Sequence, residues 1–367
     1  MEWNNSAREA EMKQKTKRPL LSFCIPAYNA SGFLKRSVGS ILADLGENRE
    51  IAEILIIENG STDHTAKVAA QLQTEYPGTV RHLHSEKGPS CARNEGIRNV
   101  RGRYTIFVDA DDLWMNGSVR LLRKLISRYK ADLYCFGFET DSFVQDHGLR
   151  GKAAVYDTPD KTELIRAKIL SSPLKRAQVW AKAFRTKVLK DNGLFFDESL
   201  RYCEDAEFTI RFSKCCSSIV VCGNPVYHYS YSAGSLMRGY DENRIQSYIY
   251  AMKASEKVLE GESERIRRAF REYVLCHLNL ILVRNVFNRS IKVSEKERWD
   301  MMRRILKEDV FRQALEETDL SQCISPRMVP ELFLKGKMLH AAGAACIAKA
   351  MLNDYREKKA DQKANNN

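Results

Sequence analysis

None of the ten cysteines forms a Cys-x-x-Cys pair, which removes the common zinc-ribbon and thioredoxin-type patterns. Cys24, Cys135 and Cys276 sit inside apolar runs, where a free thiol behaves as a small hydrophobe. That usage predicts a reducing, cytoplasmic setting rather than a disulfide framework. No stretch reaches the roughly 18 apolar residues of a membrane-spanning helix. The nearest, 273–287, carries His277, Asn279, Arg284 and Asn285 and reads as a buried helix. The first 18 residues are charged and lack a signal-peptide apolar core, so a flexible N-terminus is expected. Neither Gly-x-Gly-x-x-Gly nor a Walker loop occurs, which argues against a Rossmann dinucleotide site and a P-loop. The Ser, Cys and His positions suggest no nucleophile arrangement, and no internal repeat is present.

What is present belongs to a folded chain of 367 residues, 44% hydrophobic and 29% charged. Its 59 basic and 47 acidic residues give a net charge of +12. Such a charge suits nucleotide phosphates, anionic lipid or nucleic acid, or serves solubility alone.

Residues 19–138 alternate strand and helix. Strands are expected at 20–25 (ending at Pro26), 51–57, 80–84, 104–108 and 133–138, and helices at 31–45, 63–76, 90–100 and 116–129. This rhythm predicts βαβ units and a mostly parallel sheet. Residues 141–159 are expected to be irregular, followed by a helix at 161–170. Strands at 179–184 and 219–231 flank a helix at 204–214. Beyond Asp241 the apolar spacing is helical, with a last helix at 328–355 and a disordered basic tail at 356–367. The expected division is an α/β domain at 19–238 and a helical domain at 239–355.

The most informative feature is Asp109-Ala110-Asp111-Asp112, directly after the apolar run 104–108. Three carboxylates at the end of a buried strand repel one another, and a divalent cation with oxygen ligands relieves that repulsion. A helix N-cap with acidic first-turn residues is the other reading. Tyr28 and Asn29 after Pro26 could stack on and bond a nucleobase, or form an ordinary strand-end turn. Glu58 could accept a base N–H, while Ser61 to Asp63 cap the next helix. Ser90 is expected to cap a helix whose first turns carry Arg93, a donor for anionic oxygens. Glu204 and Asp205 open a helix, as a cap or as a general base. His228 is a metal ligand or base, or a structural histidine.

Taken in order, Ile25-Pro26-Ala27-Tyr28-Asn29, Glu58-Asn59-Gly60-Ser61-Thr62-Asp63, Ala92-Arg93-Asn94-Glu95-Gly96, Asp109-Ala110-Asp111-Asp112 and Glu204-Asp205-Ala206-Glu207-Phe208 resemble the family 2 glycosyltransferases of the GT-A fold. The resemblance covers about residues 19–236. Segments 179–185, with Trp180, and 192–198 are similar to the family's acceptor side. The resemblance implies that Pro26, Tyr28 and Glu58 hold the nucleobase and that Arg93 lies near the nucleoside diphosphate. Asp109 would touch ribose or sugar. Asp111 would face Mg²⁺ or Mn²⁺ bridging the diphosphate, with Asp112 beside it. Asp205 would be the catalytic base, Glu204 would support it, and Trp180 would shape the acceptor side. One departure is Glu58-Asn59, where the family usually has two aspartates.

The implied function is metal-dependent, inverting transfer of a sugar from a nucleotide-diphosphate donor, by resemblance a UDP-sugar. The acceptor would be a hydroxyl of a glycan or a lipid-linked acceptor, in surface polysaccharide or glycolipid synthesis. The implied setting is cytoplasmic, with peripheral contact to the inner membrane face, and no nucleic acid is expected as a partner. Arg265, Arg267, Arg268, Arg271, Arg303 and Arg304 would make that contact, or form a solvated charged face. The alternatives are an inactive nucleotide-sugar-binding module and a nucleotidyltransferase. The latter needs a triphosphate and leaves Glu204-Asp205 without a task.

Overall fold

In the computed structural model, which describes residues 18–230, 243–288, 291–320 and 328–365, the alternation of the first half is realised. Strands β1 (Leu21–Ala27), β2 (Ala52–Glu58), β3 (Val80–His84) and β4 (Tyr104–Phe107) run parallel in the order β3-β2-β1-β4. Helices α1 (Leu34–Leu45), α2 (Thr65–Glu75) and α3 (Pro89–Asn99) connect them. β1, β2 and β4 are buried on both faces, as their near-continuous apolar sequences require, while β3 at the edge is only partly buried.

Pro26 lies inside β1 instead of ending it, opposite Ile57 of β2. The β1–β4 pairing stops at Cys24 and Phe107, so no hydrogen bond is demanded of the missing Pro26 N–H on that side. Ser90 lies in the first turn of α3, and Gly88 holds the cap position that had been expected of Ser90.

Beyond β4 come β5 (Leu113–Trp114), α4 (Ser118–Tyr129), β6 (Leu133–Glu139), β7 (Val144–Gln145), β8 (Ala153–Tyr156), α5 (Pro159–Ser171), α6 (Pro173–Arg176), β9 (Lys182–Arg185), α7 (Thr186–Asp191), α8 (Glu204–Lys214) and β10 (Ile219–His228). β9 is inserted antiparallel between β4 and β6, β10 is parallel to β6, and β5, β7 and β8 pair antiparallel. The sheet is therefore mixed: its long ladders are parallel, and short antiparallel strands are added to them. The segment 141–159, expected to be irregular, supplies β7 and β8. Gly137 admits this approach: a Cβ there would stand 2.5 Å from the Gln145 carbonyl oxygen.

Among the described residues the chain forms two compact units. One comprises residues up to 162, 178–198 and 211–232; the other comprises 163–177, 199–210 and those from 233 onward. The first holds the sheet and its core. The second has its own core, built from α9 (Arg244–Val258), α10 (Glu264–Ile281), α11 (Glu295–Ile305), α12 (Asp309–Glu317), α13 (Val329–Lys335), α14 (Leu339–Asn365) and residues of 163–177 and 199–210. The single helix expected at 328–355 is two helices, broken where Lys337 takes a positive φ. α14 continues to Asn365 through most of the tail expected to be disordered, in a sequence rich in the helix formers Lys, Glu, Ala and Gln. The expected strand end at 231, the start at Asp241 and the first 17 residues lie outside the described residues.

The arginines nominated for membrane contact are mostly ion-paired. Arg265 meets Glu163, Arg267 and Arg271 meet Glu264, Arg268 meets Glu272 and Arg303 meets Asp300. Among the described residues no helix is long and apolar enough to cross a membrane.

Candidate active site

The carboxyl ends of β1, β2 and β4 bring most of the nominated residues of the first unit to one edge of the sheet. This is where open α/β sheets place ligands. Near the end of β1 Pro26 is half-buried, and after the strand Tyr28 is exposed and Asn29 takes a left-handed φ of 49°. The Asn29 side-chain oxygen accepts from the Thr62 amide at 2.8 Å, and the Asn29 amide donates to Ser61 Oγ at 3.1 Å. Asn29 thus ties the turn after β1 to the turn after β2. Tyr28 leaves its ring available, with the Lys87 ammonium 4.9 Å from its centroid.

Glu58 ends β2, buried, and accepts from the Ser61 amide, with His84 Nδ1 3.3 Å from its other oxygen. Burial works against its ionisation, but Ser61 and His84 together hold its carboxyl below the usual range. Next to it the buried Asn59 side-chain oxygen has no hydrogen-bond partner among the described residues. Asp63 organises the entry to α2, accepting from the amides of Thr65 and Ser31.

Helix α3 delivers Arg93. Gly96 lets the helix lie close on β1, since a Cβ there would stand 3.0 Å from the Cys24 sulfur. Asn94 anchors the segment 192–198 through both its side-chain atoms, which bond the backbone of Phe196. Arg93, 5% exposed, reaches Asp109 Oδ1 at 3.3 Å.

The turn after β4 is held from β10, a connection the sequence reading missed. The buried Tyr227 hydroxyl accepts from the Asp109 amide at 3.0 Å and donates to Asp112 Oδ2 at 2.7 Å. The Ser230 amide donates to Asp112 Oδ1 at 2.7 Å. Asp112 is 1% exposed. Burial, followed by the neighbouring charge of Asp109, pushes its carboxyl well up, against the pull of Tyr227 and Ser230. Both oxygens of Asp112 are thus spent on the protein. Arg36 donates to the Asp111 carbonyl at 3.0 Å, and the Asp111 side chain takes no hydrogen bond from the described residues.

Trp180, half-buried, stacks on Tyr227 with centroids 4.9 Å apart and on Tyr229 at 5.5 Å, and meets Phe138 edge-on. Ala181, with a φ of 53°, turns the chain there into β9. His228, near this group in sequence, faces two carboxylates, Glu139 at Nδ1 and Asp141 at Nε2, each 3.3 Å away.

Glu204 and Asp205, both half-buried, open α8 within the second unit, after Cys203 with a φ of 64°. Behind them Tyr202 is buried under the Arg244 guanidinium, 4.9 Å from its ring centroid.

Among the described residues no three His, Cys, Asp or Glu side chains form a cage for a metal. The donor set at Asp111 fits a different arrangement. A hard cation such as Mg²⁺ is commonly held by one or two carboxylates, with phosphate oxygens completing its shell.

Residues 22–192 match the family model of glycosyl transferase family 2. The uncharacterized glycosyltransferase EpsJ of Bacillus subtilis is 24% identical over 316 residues, covering 82% of this chain and 87% of EpsJ. The poly(ribitol-phosphate) beta-N-acetylglucosaminyltransferase TarS of Staphylococcus aureus is 22% identical over 76% of this chain and 47% of its own length. The crystal structure of TarS residues 1–349 with UDP superposes with a TM-score of 0.65 at 18% identity, covering 92% of each chain. A mannosyltransferase of Pyrobaculum calidifontis, solved with GDP-Man and Mn²⁺, superposes with a TM-score of 0.51 at 13% identity, over 92% of this chain and 88% of its own.

Proposed function

Because residues 22–192 make this chain a family 2 glycosyltransferase with a GT-A fold, we propose that it moves a sugar from a UDP-sugar to an acceptor hydroxyl with inversion. The product is a surface polysaccharide or glycolipid, and the acceptor is a glycan or lipid-linked chain. TarS, solved with UDP and with UDP-GlcNAc, supports the choice of donor nucleotide. The observation that carries the reading is the group at the end of β4. There a buried arginine is paired to Asp109, a buried tyrosine fixes Asp109 and Asp112, and the Asp111 carboxylate takes no bond from the described residues.

In this reading the uracil stacks on Tyr28 beside Pro26 and Asn29. Its N–H is accepted by Glu58, with the Asn59 oxygen as a second acceptor. Asp109 bonds the ribose or sugar. Arg93 stabilises negative charge as the nucleoside diphosphate departs. Asp111 would hold Mg²⁺ or Mn²⁺ against the diphosphate. When bound, the cation supplies Lewis-acid neutralisation of the leaving group. Asp205 accepts the proton of the acceptor hydroxyl, Glu204 orients Asp205, and Trp180 shapes the acceptor side. His228, its ring nitrogens facing Glu139 and Asp141, is assigned to orientation of that wall in preference to metal ligation.

The test is UDP release from a panel of UDP-sugars with Mn²⁺. Asp111→Asn is expected to abolish release. Asp205→Asn is expected to cut turnover roughly 10²- to 10⁴-fold, with the UDP-induced melting shift unchanged. UDP binding without release from any donor and acceptor combination would overturn transfer in favour of an inactive binding module.

A further inference from the structure

A second charged region lies at the opposite end of the sheet in the first unit, where β1 and β4 begin. An open cavity of about 570 Å³ is lined by Leu20, Arg103, Ile126, Ser127 and the cations Arg120, Arg123, Lys124 and Lys130. All five cations, Arg103 included, are exposed. None forms an ion pair with any described residue, in contrast to the arginines of the helical unit.

The arrangement follows from the helix period. α4 turns Val119, Leu122, Leu125 and Ile126 into the core. Its outer face therefore carries Arg120, Arg123, Lys124 and Ser127, three and four residues apart, with Lys130 directly after the helix. Arg103, just before β4, adds its charge across the cavity. The exposed Arg18, Arg101 and Arg128 extend the charge beyond the rim.

Five like charges with no acid among them repel one another, which an anionic partner relieves. The charge is spread wider than one small anion requires, which favours an extended anionic surface. No exposed aromatic ring lines the cavity, so nothing offers a stacking platform for nucleobases. No exposed large apolar side chain lines it either, so contact stays at headgroup level without insertion.

We propose that this face docks the chain electrostatically on the phosphate headgroups of an anionic lipid surface. Clusters of four to eight Lys and Arg are the usual carriers of such binding. The face lies at the start of β4 and the Asp109 turn at its end, so docking leaves the carboxyl edge of this sheet open to a soluble donor.

The test is co-sedimentation of the full chain with vesicles of phosphatidylcholine, with and without phosphatidylglycerol. Wild type is expected to pellet with the anionic vesicles only, and to be released at about 0.5 M salt, where screening is short-ranged. Arg120→Ala/Arg123→Ala/Lys124→Ala is expected to lower partitioning on the order of 100-fold, and Lys124→Ala alone about fivefold, at unchanged melting temperature. The triple lysine-for-arginine and arginine-for-lysine exchange at these positions should keep binding. Equal binding by wild type and Lys124→Ala, or equal binding to neutral vesicles, overturns the proposal. So does stabilisation by inorganic tripolyphosphate with no vesicle binding, which would make the ligand a soluble oligophosphate. None of these residues is assigned to the donor site, so failure here leaves UDP-sugar turnover untouched.

Discussion

Tyr227 shows why part of the site escaped the sequence. Its hydroxyl bonds a carboxylate 115 residues away, and nothing in the local pattern around Val226-Tyr227-His228 marks that partner. The acid cluster was legible because it is contiguous and follows an apolar run. What fixes its shape is not contiguous. Burial, together with the charges of Asp112 and Asp109, keeps the Tyr227 phenol protonated, so it remains a donor to Asp112 while accepting from the Asp109 amide. Tyr227→Phe keeps the stack on Trp180 and removes only that oxygen. It leaves a half-buried amide and a buried carboxylate oxygen short of a partner, at a cost of about 1–3 kcal/mol. Urea unfolding should register that loss, and UDP release should fall at least about tenfold as the turn relaxes. Unchanged turnover in a destabilised Tyr227→Phe would reduce the hydroxyl to a purely structural role.

At the scale of elements, runs long enough to show a period were readable, and short or inserted ones were not. β2, β3 and α1 to α4 follow from apolar spacing within a few residues at each end. β7, of two residues, and β8, of four, are too short to establish any alternation. The mixed sheet was invisible for a related reason: β9 enters antiparallel between β4 and β6 from a distant part of the chain. Asp132 holds that insertion in place. It accepts from Arg185 Nη1 at 3.0 Å, from Ser217 Oγ at 2.7 Å and from the Ser217 amide at 2.9 Å. It thereby joins the start of β6 to the end of β9 and the approach to β10. Burial opposes ionisation there, but Ser217 and Arg185 outweigh it and hold the Asp132 carboxyl below its ordinary value. The folded state therefore binds its proton less tightly than the unfolded chain. The stabilisation is present in full above about pH 4 and is lost as the pH falls further. Asp132→Asn should cost about 1–3 kcal/mol at pH 7, and denaturant titrations should find the gap to wild type closing toward pH 3. A gap independent of pH would assign the cost to lost hydrogen bonds alone.

At the scale of the whole molecule, the chain does not divide at one point. A boundary near residue 238 is what the change from alternating to helical pattern suggests. Pattern follows the order of residues, whereas a core is assembled from residues in space. Ile169, Leu170, Ala177, Leu200, Tyr202 and Ile210 precede that point, yet they are buried in one cluster with Met252, Tyr273 and Leu278. Glu204 and Asp205 belong to the same stretch, 199–210, so the proposed base stands on a helix whose first turns are part of the helical core. The appended helices thus share a core with the stretch that carries the proposed base, a task their sequence does not announce. A fragment ending at residue 238 would leave those apolar side chains without partners, each leucine and isoleucine losing about 1.5–3 kcal/mol of burial. It is expected to aggregate on gel filtration. When the fragment is held soluble by a fusion partner, UDP release should be absent. A monodisperse, catalytically competent fragment would mean that the second core is dispensable and that the base is held by the first unit alone.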